Sequence, residues 1–241
     1  MRKTVGYICE PCEFITIELI HRIDEAHKEF KSVGIGIHSD DFFVELNGRN
    51  PIKSYDDRVS LVSALKCVDF IFELTSKEDM DSSEITYTST VSSAELPKPY
   101  HVAYAPGTYD LFHEGHLSHL KELKNLCDIL VFGINSDSVV WNNKKKKTKM
   151  KESERLDIIT NLDFVDYAFI IKKNQKSYEI QKCTDLVNEP VDFIFFGYDL
   201  RNADVHNDTK IPILFTERDP VLMKQRSSSY YRQVLEELKS K

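Results

Sequence analysis

The chain has no long hydrophobic run. Nowhere do its 241 residues approach the roughly 20 consecutive apolar positions that a membrane-spanning helix requires. Between Met1 and Leu19, the acidic residues Glu10, Glu13 and Glu18 interrupt what would otherwise be an apolar stretch. No export signal is therefore expected, and the reading is a cytoplasmic protein with no membrane partner. An excess of positive charge is also missing, since 39 acidic and 32 basic residues leave −7 at neutral pH. That balance excludes a broad nucleic-acid footprint, so phosphate binding has to come from local basic clusters and no nucleic-acid partner is expected. Cysteine is sparse and odd in number, with Cys9, Cys12, Cys67, Cys127 and Cys183 scattered along the chain. Reduced thiols, rather than a disulfide framework, follow. Cys9-Glu10-Pro11-Cys12 has the spacing of a redox pair or half a zinc site, but no second Cys/His pair accompanies it. It reads as two small buried thiols at a strand–helix turn.

What is present is an ordinary folded composition, 41% hydrophobic and 29% charged, with an internal repeat. Three marks recur at one constant offset of 97 residues, the separation of Ser39 from Ser136. Ser39-Asp40 matches Ser136-Asp137, Arg58 matches Arg155, and Val68-Asp69 matches Val165-Asp166. The surrounding patterns agree: strands are expected at Val33 to Ile37 and Ile129 to Ile134, and helices at Asp56 to Leu65 and Glu152 to Leu162. Strands are expected again at Phe70 to Phe72 and Tyr167 to Ile171. Each copy reads as a βαβαβ arrangement, an α/β unit with a Rossmann-like parallel sheet, present twice with the first copy truncated. Residues 1–75 form the first copy and residues 100–241 the second. Between them, residues 76–99 are rich in Ser, Thr, Asp and Glu and end in Pro97-Lys98-Pro99, a linker with room for one strand from Ile85 to Val91. Only the second copy continues, through apolar runs at Val191 to Phe196 and Ile211 to Phe215 into a terminal helix from Ser229 to Leu238.

The chemistry is concentrated at His113-Glu114-Gly115-His116. An apolar strand from His101 to Ala105 is broken by Pro106-Gly107, and Leu117, Leu120, Leu123 and Leu126 then follow at helical spacing. Two imidazoles three residues apart share a helical face at an N-terminus, where N–H groups and the helix dipole favour anions. That is the outline of a phosphate site. A zinc reading fails, because the pair lacks the H-E-x-x-H spacing and has no third ligand in view. In the first copy the two histidines fall opposite Thr16 and Leu19, and no H-x-G-H occurs before residue 100. Gly6-Tyr7-Ile8-Cys9 is a faint echo of the opening turn.

Gly107-Thr108-Tyr109-Asp110-Leu111-Phe112-His113-Glu114-Gly115-His116, the lysines 144–147, Glu152-Ser153-Glu154-Arg155, Gly197-Tyr198-Asp199, Arg218 and Arg226-Ser227-Ser228-Ser229 together resemble the cytidylyltransferase family within the nucleotidyltransferase superfamily. The likeness is strongest to the glycerol-3-phosphate cytidylyltransferases and covers about residues 101 to 240. It implies transfer of CMP from CTP to a small phosphorylated alcohol, glycerol 3-phosphate first, with release of pyrophosphate. By the same resemblance His113, His116, Lys144, Lys146 and Arg155 are the catalytic residues. Gly107, Thr108, Tyr109, Asp110, Gly115, Asp199, Arg218, Arg226, Ser227 and Ser228 bind the nucleotide. Mg²⁺ is expected with the triphosphate, and no protein ligand is assigned to it. A homodimer or an internal pseudo-dimer is implied, since members of the family commonly pair. Tyr198 departs from the family's paired acids, and the serine ending is also similar to that of adenylyltransferases. An ATP-dependent adenylyltransferase and a nucleotide-binding pseudoenzyme therefore stay open as alternatives.

Overall fold

Two compact units, Met1–Glu95 and Leu96–Lys241, make up the chain in a computed structural model that describes residues 3–81, 98, 100–197, 209–215 and 228–239. The first unit runs β1 (Lys3–Glu10), α1 (Ile17–Glu29), β2 (Phe30–His38), α2 (Asp40–Asn47), α3 (Tyr55–Val62), β3 (Phe70–Leu74) and α4 (Lys77–Asp81). Its three strands are parallel in the order β1-β2-β3. The central strand is buried from Val33 to His38, and α1 covers the sheet with Leu19, Ile20 and Ile23.

The second unit repeats this pattern with β4 (Tyr100–Gly107), α5 (Glu114–Lys124), β5 (Cys127–Asn135), α6 (Asp137–Lys144), α7 (Glu152–Thr160) and β6 (Tyr167–Ile171). It then adds α8 (Lys176–Val187), β7 (Phe193–Phe196), β8 (Ile213–Phe215) and α9 (Ser228–Lys239). All five strands are parallel in the order β6-β5-β4-β7-β8. The chain winds outward from β4 to β6 and then returns to the other side of β4, so the topological switch lies between β4 and β7. Ligands of open α/β sheets bind outside the carboxyl ends of the strands at that point. There the two strands part: β4 pairs with β5 from Tyr100 to Gly107 but with β7 only at Ala103 and Tyr104. Pro106, which has no N–H to give, sits beyond the last β7 partner. Tyr104, Val131, Phe169, Ile171, Ile194 and Phe196 form the core beneath the cleft.

Some boundaries differ from the sequence reading. Pro106-Gly107 does not break β4, which runs through both residues. Gly6 to Cys9 lies inside β1, so it is no echo of the opening turn; the 97-residue register places Glu10 opposite Gly107. Residues 77–81 of the expected linker are helical, held at their start by Asp79, which accepts the Thr75 and Ser76 N–H groups at 2.7 and 2.9 Å. The strand expected at 85–91 lies outside the described residues.

The repeat is physical as well as textual. Ser39 and Ser136 each cap a helix, accepting from Phe42 N–H and Val139 N–H at 3.2 Å. Asp69 and Asp166 each accept a strand N–H at 2.7 Å, from Val33 and Leu130. Arg58 is fully buried and donates to the Lys53 and Pro11 carbonyls at 3.2 and 2.8 Å and to the Asp40 carboxylate at 2.6 Å. Arg155, also fully buried, makes the corresponding bonds to the Met150 and Thr108 carbonyls and to Asp137, at 3.3, 2.6 and 2.6 Å. It adds the Asn135 carbonyl at 2.8 Å. Removing a buried hydrogen-bonded charge leaves its partners unsatisfied, a loss of about 3 kcal/mol. Arg58→Met is accordingly expected to lower the unfolding free energy by about 3 kcal/mol in urea denaturation. A change below about 1 kcal/mol would show that water replaces the guanidinium.

Candidate functional site

The turn between β4 and α5 is tightly determined. A Cβ on Gly107 would lie 2.6 Å from the Tyr109 ring, so only glycine lets the tyrosine fold back over the strand end. Tyr109 itself adopts φ 53°, and its hydroxyl donates to the Ala105 carbonyl at 3.1 Å. Leu111 has φ 51°. Two non-glycine residues in the left-handed region are strain of the kind that clusters at functional sites. His113 is the N-cap of α5 and makes no side-chain capping bond. Thr16, its counterpart in the first unit, caps α1 in the usual way, accepting from Leu19 N–H at 3.2 Å. Giving up a cap of that kind costs about 1 kcal/mol, and what α5 has in exchange is an imidazole at its mouth. The His113 and His116 rings stack with centroids 3.8 Å apart, His113 buried and His116 half-buried, with Gly115 half-buried between them. Thr108 is half-buried; its carbonyl accepts from Arg155 and its hydroxyl from Asn135 at 3.4 Å.

Asp110 ties three parts of the site together. Its carboxylate accepts the Lys149 and Met150 N–H groups at 3.0 Å and pairs with Arg232 of α9. Tyr231 is buried, donates its hydroxyl to the Glu114 carboxylate, and lies 5.4 Å from the His113 ring. Lys149 reaches Glu236 at 3.3 Å. The turn of α9 that follows Ser228 is thereby locked onto the first turn of α5. Glu13 holds the equivalent place in the first unit, accepting the Ile52 N–H at 2.6 Å. Asp110 and Arg155 thus sit beneath the site and hold its loops. The resemblance gives them contact with ligand; the geometry commits their polar atoms to protein.

The lysine segment follows α6. Lys144 is exposed at the end of the helix, and Lys145 adopts φ 50°, where the first unit has Gly48 at φ 66°. A side chain in that conformation is strained by about 1–2 kcal/mol. Lys146 is exposed and lines a hollow of about 330 Å³ together with Asp137, Trp141, Lys147, Thr148 and Lys151, whereas Lys144 lies outside that lining. The first unit has a hollow of about 240 Å³ beside its own β1–α1 turn, but Glu10, Glu13 and Glu18 line it with Arg22. Carboxylates there oppose a triphosphate.

Burial pushes the Asp137 carboxyl up, but hydrogen bonds from Arg155 and Thr148, the Arg155 charge and the Glu152 N–H outweigh it and hold the group below its ordinary 3.8. Burial pushes the Cys12 thiol up to about 12, so it stays protonated. Cys9 is half-buried rather than buried. Asp199, Arg218, Arg226 and Ser227 lie outside the described residues, and Ser228 is the first residue of α9. Among the described residues no three His, Cys, Asp or Glu side chains form a metal-binding group, and no helix is long and apolar enough to cross a membrane. Sequence reasoning named Asp137 at the ligand-facing strand ends and Glu114 within the histidine run without giving either a role, and it passed over Trp141, Tyr231 and Arg232. For the last two a signal existed, since they follow the serines within one helical turn.

Residues 104–231 match the family described as cytidylyltransferase-like, more than half of the chain. The chain belongs to the cytidylyltransferase-like family of nucleotidyltransferases. Among curated proteins it is similar to the bifunctional protein HldE of Pelobacter propionicus, with 35% identity over 82 residues, 34% of this chain and 17% of the relative. The bifunctional protein HldE of Helicobacter pylori strain G27 is 32% identical over 105 residues, 43% of this chain and 21% of the relative. The matched segments thus span about a fifth or less of those relatives. Among solved structures, a lipopolysaccharide core biosynthesis protein from Thermoplasma volcanium matches at 28% identity and TM-score 0.40, covering 49% of this chain and 98% of that one.

The depressed Asp137 carboxyl sets a pH dependence. Its folded value lies below its unfolded one, so its stabilisation is complete above about pH 4 and is lost as pH falls through the lower folded value. Denaturation curves between about pH 5 and about pH 2 should show a shallower acid loss for Asp137→Asn than for the parent chain. Identical slopes would mean that Asp137 gains nothing from Arg155.

Proposed function

We propose that the second unit transfers AMP from ATP to a small phosphorylated alcohol and releases pyrophosphate. The observation that carries the nucleotidyl-transfer reading is the stacked His113–His116 pair at the start of α5, beside the opening between β4 and β7. ATP as donor is favoured over CTP by the Arg226-Ser227-Ser228-Ser229 ending, which is similar to that of adenylyltransferases, and by the likeness to the HldE proteins. Tyr198, standing where cytidylyltransferases have the first of two acids, weakens the case for CTP. A pseudoenzyme would not need both imidazoles, and both are in place.

In the proposed reaction an oxygen of the acceptor phosphate attacks the α-phosphorus of ATP in line, a new P–O–P bridge forms, and the bond to the bridging oxygen of pyrophosphate breaks. Such transfers depend on positioning and on neutralising oxygens whose charge grows in the transition state. His113 and His116 donate to triphosphate oxygens, and exposed Lys146 meets the acceptor phosphate. Thr108, Tyr109 and Gly107 shape the turn on which the triphosphate lies. Arg155 and Asp110 are positioning residues. Arg155 fixes the Thr108, Asn135 and Met150 carbonyls, and Asp110 fixes the lysine loop and Arg232. Mg²⁺ arrives with the triphosphate, held by phosphate oxygens and water, and requires no cage of protein ligands. The roles of Asp199, Arg218, Arg226, Ser227 and Ser228 in holding the nucleotide belong to the same proposal. So do the division into residues 1–75, 76–99 and 100–241 and a paired assembly.

Two measurements check this. His116→Ala should reduce pyrophosphate release about a hundredfold or more with an unchanged far-UV spectrum, and near-parental turnover in that folded variant would remove the histidine pair from the chemistry. Calorimetry on the full chain should show ATP binding about tenfold more tightly than CTP, with one nucleotide per chain. Tighter CTP binding would restore the cytidylyl reading, and two nucleotides per chain would contradict the acid-lined hollow of the first unit.

A further inference from the structure

The repeat supplies an internal control for the hollow beside α6. Asp137 and Trp141 are one helical turn apart on α6, so carboxylate and indole share a wall. Lys146, Lys147 and Lys151 line the same hollow, with Thr148, Lys149 and Met150 between them in sequence. In the first unit the shared architecture keeps Asp40, which pairs with Arg58 just as Asp137 pairs with Arg155. The other positions change: Val44 stands opposite Trp141, Arg49 opposite Lys146, Asn50 opposite Lys147 and Ser54 opposite Lys151. The fold therefore needs the aspartate and does not need the tryptophan or the lysines. Trp141 is 48% exposed, so part of its indole is open to a ligand.

Each wall of the hollow specifies part of a ligand. Ammonium groups call for an anion. An ionised carboxylate calls for donors: among the described residues Asp137 Oδ2 accepts only the Glu152 N–H, at 3.4 Å, leaving acceptor capacity toward the hollow. The flat indole calls for a ring with an apolar face. An anion, hydroxyl donors and an apolar ring face coexist in a phosphorylated sugar. A linear polyol phosphate has the first two and no ring to lie on the indole. The hollow also lies on the β5 side of the switch point, while β7 and β8, which Asp199 and Arg218 follow in sequence, lie on the other side.

We infer that Trp141 is a specificity-determining residue of the acceptor site, stacking on the ring of a phosphorylated sugar whose hydroxyls Asp137 accepts and whose phosphate the lysines hold. This deepens the nucleotidyl-transfer reading and rests on it for the meaning of acceptor.

Trp141 is the single tryptophan of the chain, so indole emission reports this hollow directly. Titrating the full chain with a panel of aldose phosphates should shift the emission saturably, and inorganic phosphate and glycerol 3-phosphate should leave it nearly unchanged. Trp141→Ala should raise the KM for the best aldose phosphate about tenfold or more, with the KM for ATP within about twofold and most of the loss recovered in Trp141→Phe. A silent panel, or a shift produced by ATP alone, would overturn the inference while leaving nucleotide binding by calorimetry as its own result. A shift with aldose phosphates from a chain that binds no nucleotide would keep the sugar site and sink the transferase reading. Equal KM effects on both substrates would reduce Trp141 to a structural part.

Discussion

A buried guanidinium is the constraint on which the rest of each unit depends. Arginine taken out of water is tolerated only when its donors are met, and Arg155 meets them with carbonyls at the end of β5, in the β4–α5 turn and in the lysine loop, plus the Asp137 carboxylate. Those loops are where the histidines and lysines stand. Moving any of them would strand a buried charge, so the site is held in register by the desolvation penalty of one side chain. Arg58 does the same in a unit that lacks the histidines. The arginine network is therefore architecture that both copies retain, and only one of them carries the histidine pair.

The repeat was legible in the sequence because its marks are polar residues with a fixed structural task. A capping serine, a strand-end aspartate and a buried arginine cannot be exchanged freely, whereas the apolar residues around them can. The histidine motif was legible for a similar reason. What could not be read was which way Arg155 faces: a buried arginine and a phosphate-facing arginine are the same letter. Asp110 is the same case, its carboxylate spent on two amides and Arg232. Strand β1 and helix α1 were implied by the βαβαβ reading and by the strand–helix turn at Cys9 to Cys12 but had no bounds, whereas α8 was passed over because its apolar residues are interspersed with charge, Lys176 and Glu179 being buried there in a mutual ion pair at 2.9 Å. Tyr231 and Arg232 act across more than a hundred residues of sequence, so their place just after the serines marked them as near the site without announcing these contacts.

Charge is distributed to match. The chain is acidic overall, yet the lysines from 144 to 151 cluster beside the site, one of them in a strained backbone position that the first unit gives to glycine. The first unit replaces imidazoles by Thr16 and Leu19 and surrounds the same turn with glutamates. One fold thus carries two opposite local fields, and only the basic one suits a triphosphate.

The central claim is that the histidine-bearing unit joins a nucleotide to a phosphorylated acceptor. Phosphorus NMR of the full chain incubated with ATP, Mg²⁺ and the aldose phosphates tests it most directly. The account predicts pyrophosphate together with a pair of coupled resonances from a new diphosphate diester. Orthophosphate with ADP and no diester, or an unchanged triphosphate spectrum, would contradict it.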